Sequence, residues 1–174
     1  MLKEQIAAKL EHAFSAHGFA TLSIAQLQQH SGVSLRTLYK YYPSKEAMTV
    51  AALEHRHQRY IAFLERELPD DPLQATQQIF TKLELWMNKD APNGCLSNVA
   101  LASFPDDPQI LYAVQQHKAQ ILALFESLVL DKQQASAIYL LHEGVTSAWP
   151  VLKDRASLAA QTVILKLFDE VKSR

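Results

Sequence analysis

The sequence predicts an all-α fold on three observations. Only four glycines occur in 174 residues, at positions 18, 32, 94 and 144, too few for the tight turns of an all-β chain. No run alternates apolar and polar residues ahead of a hairpin turn. Apolar residues instead recur at three- and four-residue spacing, punctuated by prolines at 43, 69, 72, 92, 105, 108 and 150. With 48% hydrophobic residues and a net charge of −1, the composition is that of a folded chain. It excludes both disorder and a wholly basic nucleic-acid binder of the histone sort.

The first helix follows from Leu2, Ile6, Leu10, Ala13 and Phe14 on one face, with Gly18 at its C-terminus. Ser23 caps a short second helix whose Ile24 and Leu27 are three apart. Gly32 ends it, because a tight corner between helices needs the positive φ that glycine adopts freely. Val33 plugs the corner. Ser34 caps a third helix that sends Leu38 inward and Leu35, Arg36, Thr37 and Tyr39 mostly outward, until Pro43 stops it and Ser44 caps the next. Longer helices are expected over 44–67, 73–89, 109–130, 132–148 and 156–172. In 132–148, Ala135, Ile138, Leu141, Val145 and Trp149 form a stripe, flanked by Tyr139, His142 and Ala148. In 156–172, Leu158, Thr162, Leu165 and Phe168 share a side, with Val163, Ile164, Leu167 and Val171 wrapping round. Apolar residues on more than one face point to a second buried surface, as a four-helix bundle between two subunits requires.

Charge is divided unevenly. Residues 1–60 carry Lys3, Lys9, Arg36, Lys40, Lys45, Arg56 and Arg59 against Glu4, Glu11, Glu46 and Glu54, net +3, which leaves −4 for the remainder. A basic head on an acidic body fits a DNA reader joined to a part with another task. The first residues of a recognition helix are those that reach base edges in the major groove, and Arg36 is suited to guanine O6 and N7. Thr37, Tyr39 and Tyr41 offer hydroxyls to phosphates, and Lys45 adds charge at a helix start. Ser23, Ser34, Leu35 and Lys40 complete the candidate DNA-binding set, while Tyr42 reads as a packing residue.

Catalysis is not expected. His55 and His57 are two apart and diverge on a helix, His12 and His17 are five apart, and His142-Glu143 lacks a second histidine. No glycine-rich phosphate loop and no nucleophile motif around Cys95 occur, so no catalytic residue, metal or cofactor is assigned. Cys95 is the single cysteine, which forbids an intramolecular disulfide and fits a reducing cytosol. The N-terminus lacks the apolar core of a signal peptide, and no run reaches the roughly 18 apolar residues of a membrane span. A cytoplasmic protein is expected.

Residues Gly18-Phe19, Ser23, Leu27-Gln28, Ser31-Gly32-Val33-Ser34, Thr37-Leu38-Tyr39, Tyr41-Tyr42 and Ser44-Lys45-Glu46 stand at uninterrupted spacing. At these positions the chain resembles the TetR family of bacterial helix-turn-helix transcriptional regulators, departing from the family pattern at Gln28, Ser31 and Arg36. The resemblance implies a helix-turn-helix DNA-binding domain over 1–46 and a helical effector-binding and dimerisation domain over 47–174. It further implies a repressor that binds a double-stranded, inverted-repeat operator as a homodimer through its last two long helices, with no membrane partner. A small molecule in a central cavity would release it by shifting the separation of the two heads.

The effector territory is then 86–112, and Trp86, Cys95, Asn98, Phe104, Tyr112, Tyr139 and His142 are the candidate effector-binding residues, with Trp149 beside them. Gly94-Cys95-Leu96 resembles a segment of one subset of such regulators, which keeps open a repressor that senses oxidants or electrophiles through Cys95. That role needs an exposed thiol of lowered pKa, and no basic residue is adjacent in sequence; the alternative is a small buried hydrophobe. A constitutive DNA-binding dimer without an effector also stays open.

Overall fold

The computed structural model describes residues 1–172, with side chains through Glu170; the side chain of Val171 and residues 173 and 174 lie outside it. Among the described residues all regular structure is helical: α1 (Leu2–His17), α2 (Ile24–Ser31), α3 (Leu35–Tyr41), α4 (Lys45–Glu65), α5 (Pro72–Lys89), α6 (Leu96–Ser103), α7 (Pro108–Leu128), α8 (Lys132–Leu152) and α9 (Asp154–Lys172). The all-α expectation is met.

The chain divides into two compact units, one of residues 1–59 with 96–117, the other of 60–95 with 118 onward. In the first, α1 packs on α2 and α2 on α3. The core gathers Ile6, Leu10, Phe14, Phe19, Leu27, Leu38, Met48 and Leu53. Leu96, Ala100, Ile110 and Val114, from α6 and the start of α7, fill the same core. That shared burial is why this division does not fall at residue 46, since each fully buried large side chain is worth roughly 1.5–3 kcal/mol wherever it lies in the chain. Tyr42 is buried as a packing residue, its hydroxyl donating to Lys3 O at 2.9 Å.

In the second unit α5, α8 and α9 pack on one another. Their core includes Ile79, Phe80, Leu83, Phe125, Ile138, Val145, Trp149, Ile164 and Phe168. The stripe expected on α8 is observed facing inward. On α9 the facing differs from expectation: Phe168 is buried with Ile164, while Leu158 and Leu165 are exposed. Positions 164 and 168 are four apart and stack on one face, whereas 158 and 165 lie on the other.

Three local differences stand out. The short helix α6, between Pro92 and Pro105, was not among the expected helices. The eighth helix was expected to stop at 148 but runs through Pro150 to Leu152. A mid-helix proline costs about 3 kcal/mol because it removes a hydrogen bond and crowds the preceding turn. Only two helical residues follow here, and the Thr146 carbonyl that loses its helical donor lies beside Gly94. A Cβ on Gly94 would sit 3.6 Å from that oxygen and 3.5 Å from Pro150 Cγ, and its φ of +99° suits glycine alone. Lys153, at φ 52°, then turns the chain into α9, which starts at Asp154 rather than 156.

Candidate nucleic-acid interface

The head is shaped by caps. Ser23 and Gln26 form a reciprocal capping box at the start of α2: Ser23 Oγ accepts from Gln26 N at 3.3 Å, and Ser23 N donates to Gln26 Oε1 at 2.9 Å. Gly32, at φ 70° and ψ 17°, closes the helix in the left-handed conformation and donates to Gln28 O and Gln29 O. Ser34 Oγ accepts from Thr37 N at 3.1 Å to start α3, and Ser44 Oγ accepts from Ala47 N at 3.1 Å to start α4. Two further contacts pin the corner. Gln28 Nε2 donates to Val33 O at 2.6 Å, and Lys9 Nζ donates to Ser31 O at 3.1 Å. The departure of Gln28 from the family pattern was the one signal in the sequence that could have revealed this clamp.

Leu38 is fully buried and fixes the rotation of α3. Leu35, Arg36, Tyr39 and Lys40 are thereby exposed, and Thr37, Tyr41 and Lys45 are half-buried. Arg36 and Lys40, four apart, share one side of the helix. Lys40 Nζ lies 5.8 Å from the Tyr41 ring centroid, which orders both side chains. Ser23 and Ser34 are exposed, but their hydroxyls are engaged in caps. The structure thus brings the expected DNA-facing set together in the first unit, on α3 and at the starts of α2 and α4.

The seven candidate effector residues are not brought together in one unit. Asn98, Phe104 and Tyr112 belong to the first, whereas Trp86, Cys95, Tyr139 and His142 belong to the second. Phe104 is spent on the first core, its ring edge-on to Phe19 at 6.2 Å. Tyr112 and Asn98 are exposed.

In the second unit a chain of polar groups threads the apolar core. The Tyr60 hydroxyl lies 2.6 Å from His142 Nε2, and His142 Nδ1 lies 3.2 Å from Glu143 Oε1. Glu143 Oε2 accepts from Lys118 Nζ at 2.5 Å, and the same ammonium lies 3.6 Å from Cys95 Sγ. Trp86 covers Tyr60, ring centroids 4.9 Å apart. Burial pulls the His142 pKa below its ordinary 6.5, outweighing its bond to Glu143. A neutral ring with its proton on Nδ1 donates to Glu143 and accepts from Tyr60, satisfying both nitrogens. Burial pushes Glu143 up, but the His142 and Lys118 contacts prevail and hold it below 4.5. Lys118 is likewise pulled down by burial, yet Cys95 and Glu143 together keep it above 10.5. Tyr139 is pushed up by burial and by Glu143. Sequence reasoning missed the Lys118–Cys95 contact because the pair is 23 positions apart.

Among the described residues no group of three or more His, Cys, Asp or Glu side chains is placed to hold a metal ion. None of the described helices is long and apolar enough to cross a membrane.

Residues 6–52 match the family model of bacterial regulatory proteins of the tetR family. Over that N-terminal segment the chain is similar to the TetR family. Solved TetR-family structures share the fold well beyond that segment. The regulator SCO4454 from Streptomyces coelicolor superposes with a TM-score of 0.84 at 16% identity, covering 98% of this chain and 95% of its own. A putative TetR-type regulator from Streptomyces avermitilis gives 0.81 at 18% identity, covering 98% and 97%. The reduced form of Escherichia coli NemR gives 0.78 at 20% identity, covering 96% and 97%. At such identities the likeness speaks for the fold. No curated protein matches the chain significantly.

Proposed function

We propose that the protein is a cytoplasmic, TetR-type repressor that binds an inverted-repeat operator as a homodimer and leaves it when a small molecule binds its body. The observation that carries this reading is the α3 face, where buried Leu38 turns Leu35, Arg36, Tyr39 and Lys40 to solvent behind a doubly clamped corner. Residues 1–46 read DNA, with Arg36 on a guanine edge and Thr37, Tyr39, Tyr41 and Lys45 on phosphates. Residues 47–174 dimerise and take the effector, with no catalytic role and no cofactor.

Supporting the dimer, Leu140 of α8 and Leu158 of α9 are 67% and 68% exposed, and Val151 and Leu165 are exposed beside them in sequence. Two copies of each helix would cover these side chains, and two-fold symmetry asks for two operator half-sites. Release requires an effector that binds the DNA-incompetent arrangement better than the competent one.

Footprinting of the full-length protein on DNA from its own promoter region tests this. A symmetric protected site is expected, with affinity well above the roughly 10⁻⁴–10⁻⁶ M of non-specific binding. Affinity that is equal for promoter and unrelated DNA overturns the reading.

A second reading is favoured by the Lys118 contact: Cys95 as a thiol that reacts with electrophiles to release the DNA. A cation beside a half-buried sulfur is an arrangement that reactive cysteines use. If Cys95→Ser still responds to N-ethylmaleimide as the parent does, this second reading is lost and the first stands.

A further inference from the structure

We infer that the groove between α4 and the start of α7 binds a hydrophobic organic cation, an ammonium carried on an aromatic or alkyl body. The groove has a volume of about 460 Å³ and lies wholly within the first unit, a size suited to a small organic ligand. Its walls include Val50, Pro108, Ala113 and the ring of Tyr112, which is 63% exposed. Among the residues that line it, Glu54 carries the single formal charge, and its side chain is 54% exposed.

The state of that carboxylate decides the ligand's sign. Glu54 Oε2 lies 2.9 Å from His117 Nε2, and Oε1 accepts from Gln58 Nε2 at 2.9 Å. The other nitrogen of His117, Nδ1, is buried with no hydrogen-bond partner. His57 stacks face to face on His117, 4.2 Å between centroids at 10°, which holds the His117 ring in place beside Glu54. The bonds from His117 and Gln58 outweigh burial and hold the Glu54 carboxyl below 4.5, so it is ionised at neutral pH. Each carboxylate oxygen retains a lone pair for a further donor, and the Tyr112 ring offers a π-face to the same cation. An anion would meet the Glu54 carboxylate and no formal positive charge among the lining residues. This site stands whether or not the chain represses transcription.

Isothermal titration of the full-length protein tests the inference with three probes of one size: benzyltrimethylammonium, benzyl alcohol and phenylacetate. The cation should bind at one per chain, more tightly than the alcohol, and phenylacetate should not bind. Glu54→Gln should weaken the cation by roughly three- to fivefold, as expected for a half-exposed charge contact. Tyr112→Ala should weaken it comparably and Tyr112→Phe should not. Tyr112 is exposed, so its substitution leaves the fold intact even if Glu54→Gln loosens the His117 contact. Equal binding of cation and phenylacetate, or an affinity unchanged in both Glu54→Gln and Tyr112→Ala, overturns the inference. Cation affinity that falls as the protein is concentrated would assign the groove to a second copy of the chain and overturn it too.

Discussion

Both units bury charge, and they satisfy it in different ways. In the first, Glu11 of α1 collects three partners from α4: His55 Nδ1 at 2.5 Å, Arg59 Nη1 at 2.7 Å and Arg56 Nη1 at 3.2 Å. All three partners sit within five residues of one helix, so the cluster behaves as a clasp between α1 and α4. In the second, polar groups form a line from Tyr60 through His142, Glu143 and Lys118 to Cys95, drawn from four separate stretches of chain. The line ends on a half-buried thiol and so has somewhere to pass a change. The first arrangement ties one helix to another, and the second ties together segments far apart in the chain.

The comparison can be broken most directly at the clasp. Glu11→Ala should destabilise the protein by about 2–3 kcal/mol in urea unfolding, because it removes a carboxylate only 5% exposed that holds three side chains of α4. Glu143→Ala, whose side chain and that of Lys118 are 23% and 20% exposed, should cost less, about 1–2 kcal/mol. Equal losses would erase the distinction. The outer surfaces differ as well, since α8 and α9 expose leucines. Leu158→Glu should weaken self-association by about 2 kcal/mol or more in sedimentation equilibrium, while leaving the fold intact. On the head, Arg36→Ala should cost about 1–3 kcal/mol of discrimination at one base pair of each half-site, read by competition between operator variants.

The smallest effect concerns pH and belongs to the body alone. The buried His142 ring holds a proton less readily than a free imidazole. Below about pH 6.5 the unfolded chain therefore takes up a proton that the folded chain does not, and stability falls as pH drops through that value. His142→Phe should flatten this limb of the stability profile. The depressed carboxyls of Glu54 and Glu143 act in the same direction lower down, being lost as pH falls below 4.5. An unchanged profile in His142→Phe would show that the ring does not titrate between the two states.

The head was legible in the sequence because its signals are local. Ser23, Gly32, Ser34 and Pro43 act on backbone groups within about four residues, and Leu38 sets which side chains of α3 face outward. The all-helical fold and the inward stripe of α8 were legible for the same reason, since helical periodicity is written every three or four positions. Less could be read where distant segments meet. Phe104 looked like a cavity residue until Phe19 claimed it, and Pro150 looked like a stop until the helix ran two residues past it.

The sequence by itself determined the helices of the reader and the face that α3 turns outward, because caps and periodicity depend only on neighbours along the chain. Only the tertiary structure decided that α6 and the start of α7 share the reader's core, and that Lys118 stands beside Cys95. It likewise decided that His117 orients the carboxylate of Glu54. These pairings join residues tens of positions apart, and only the burial of a common core brings them within hydrogen-bonding reach.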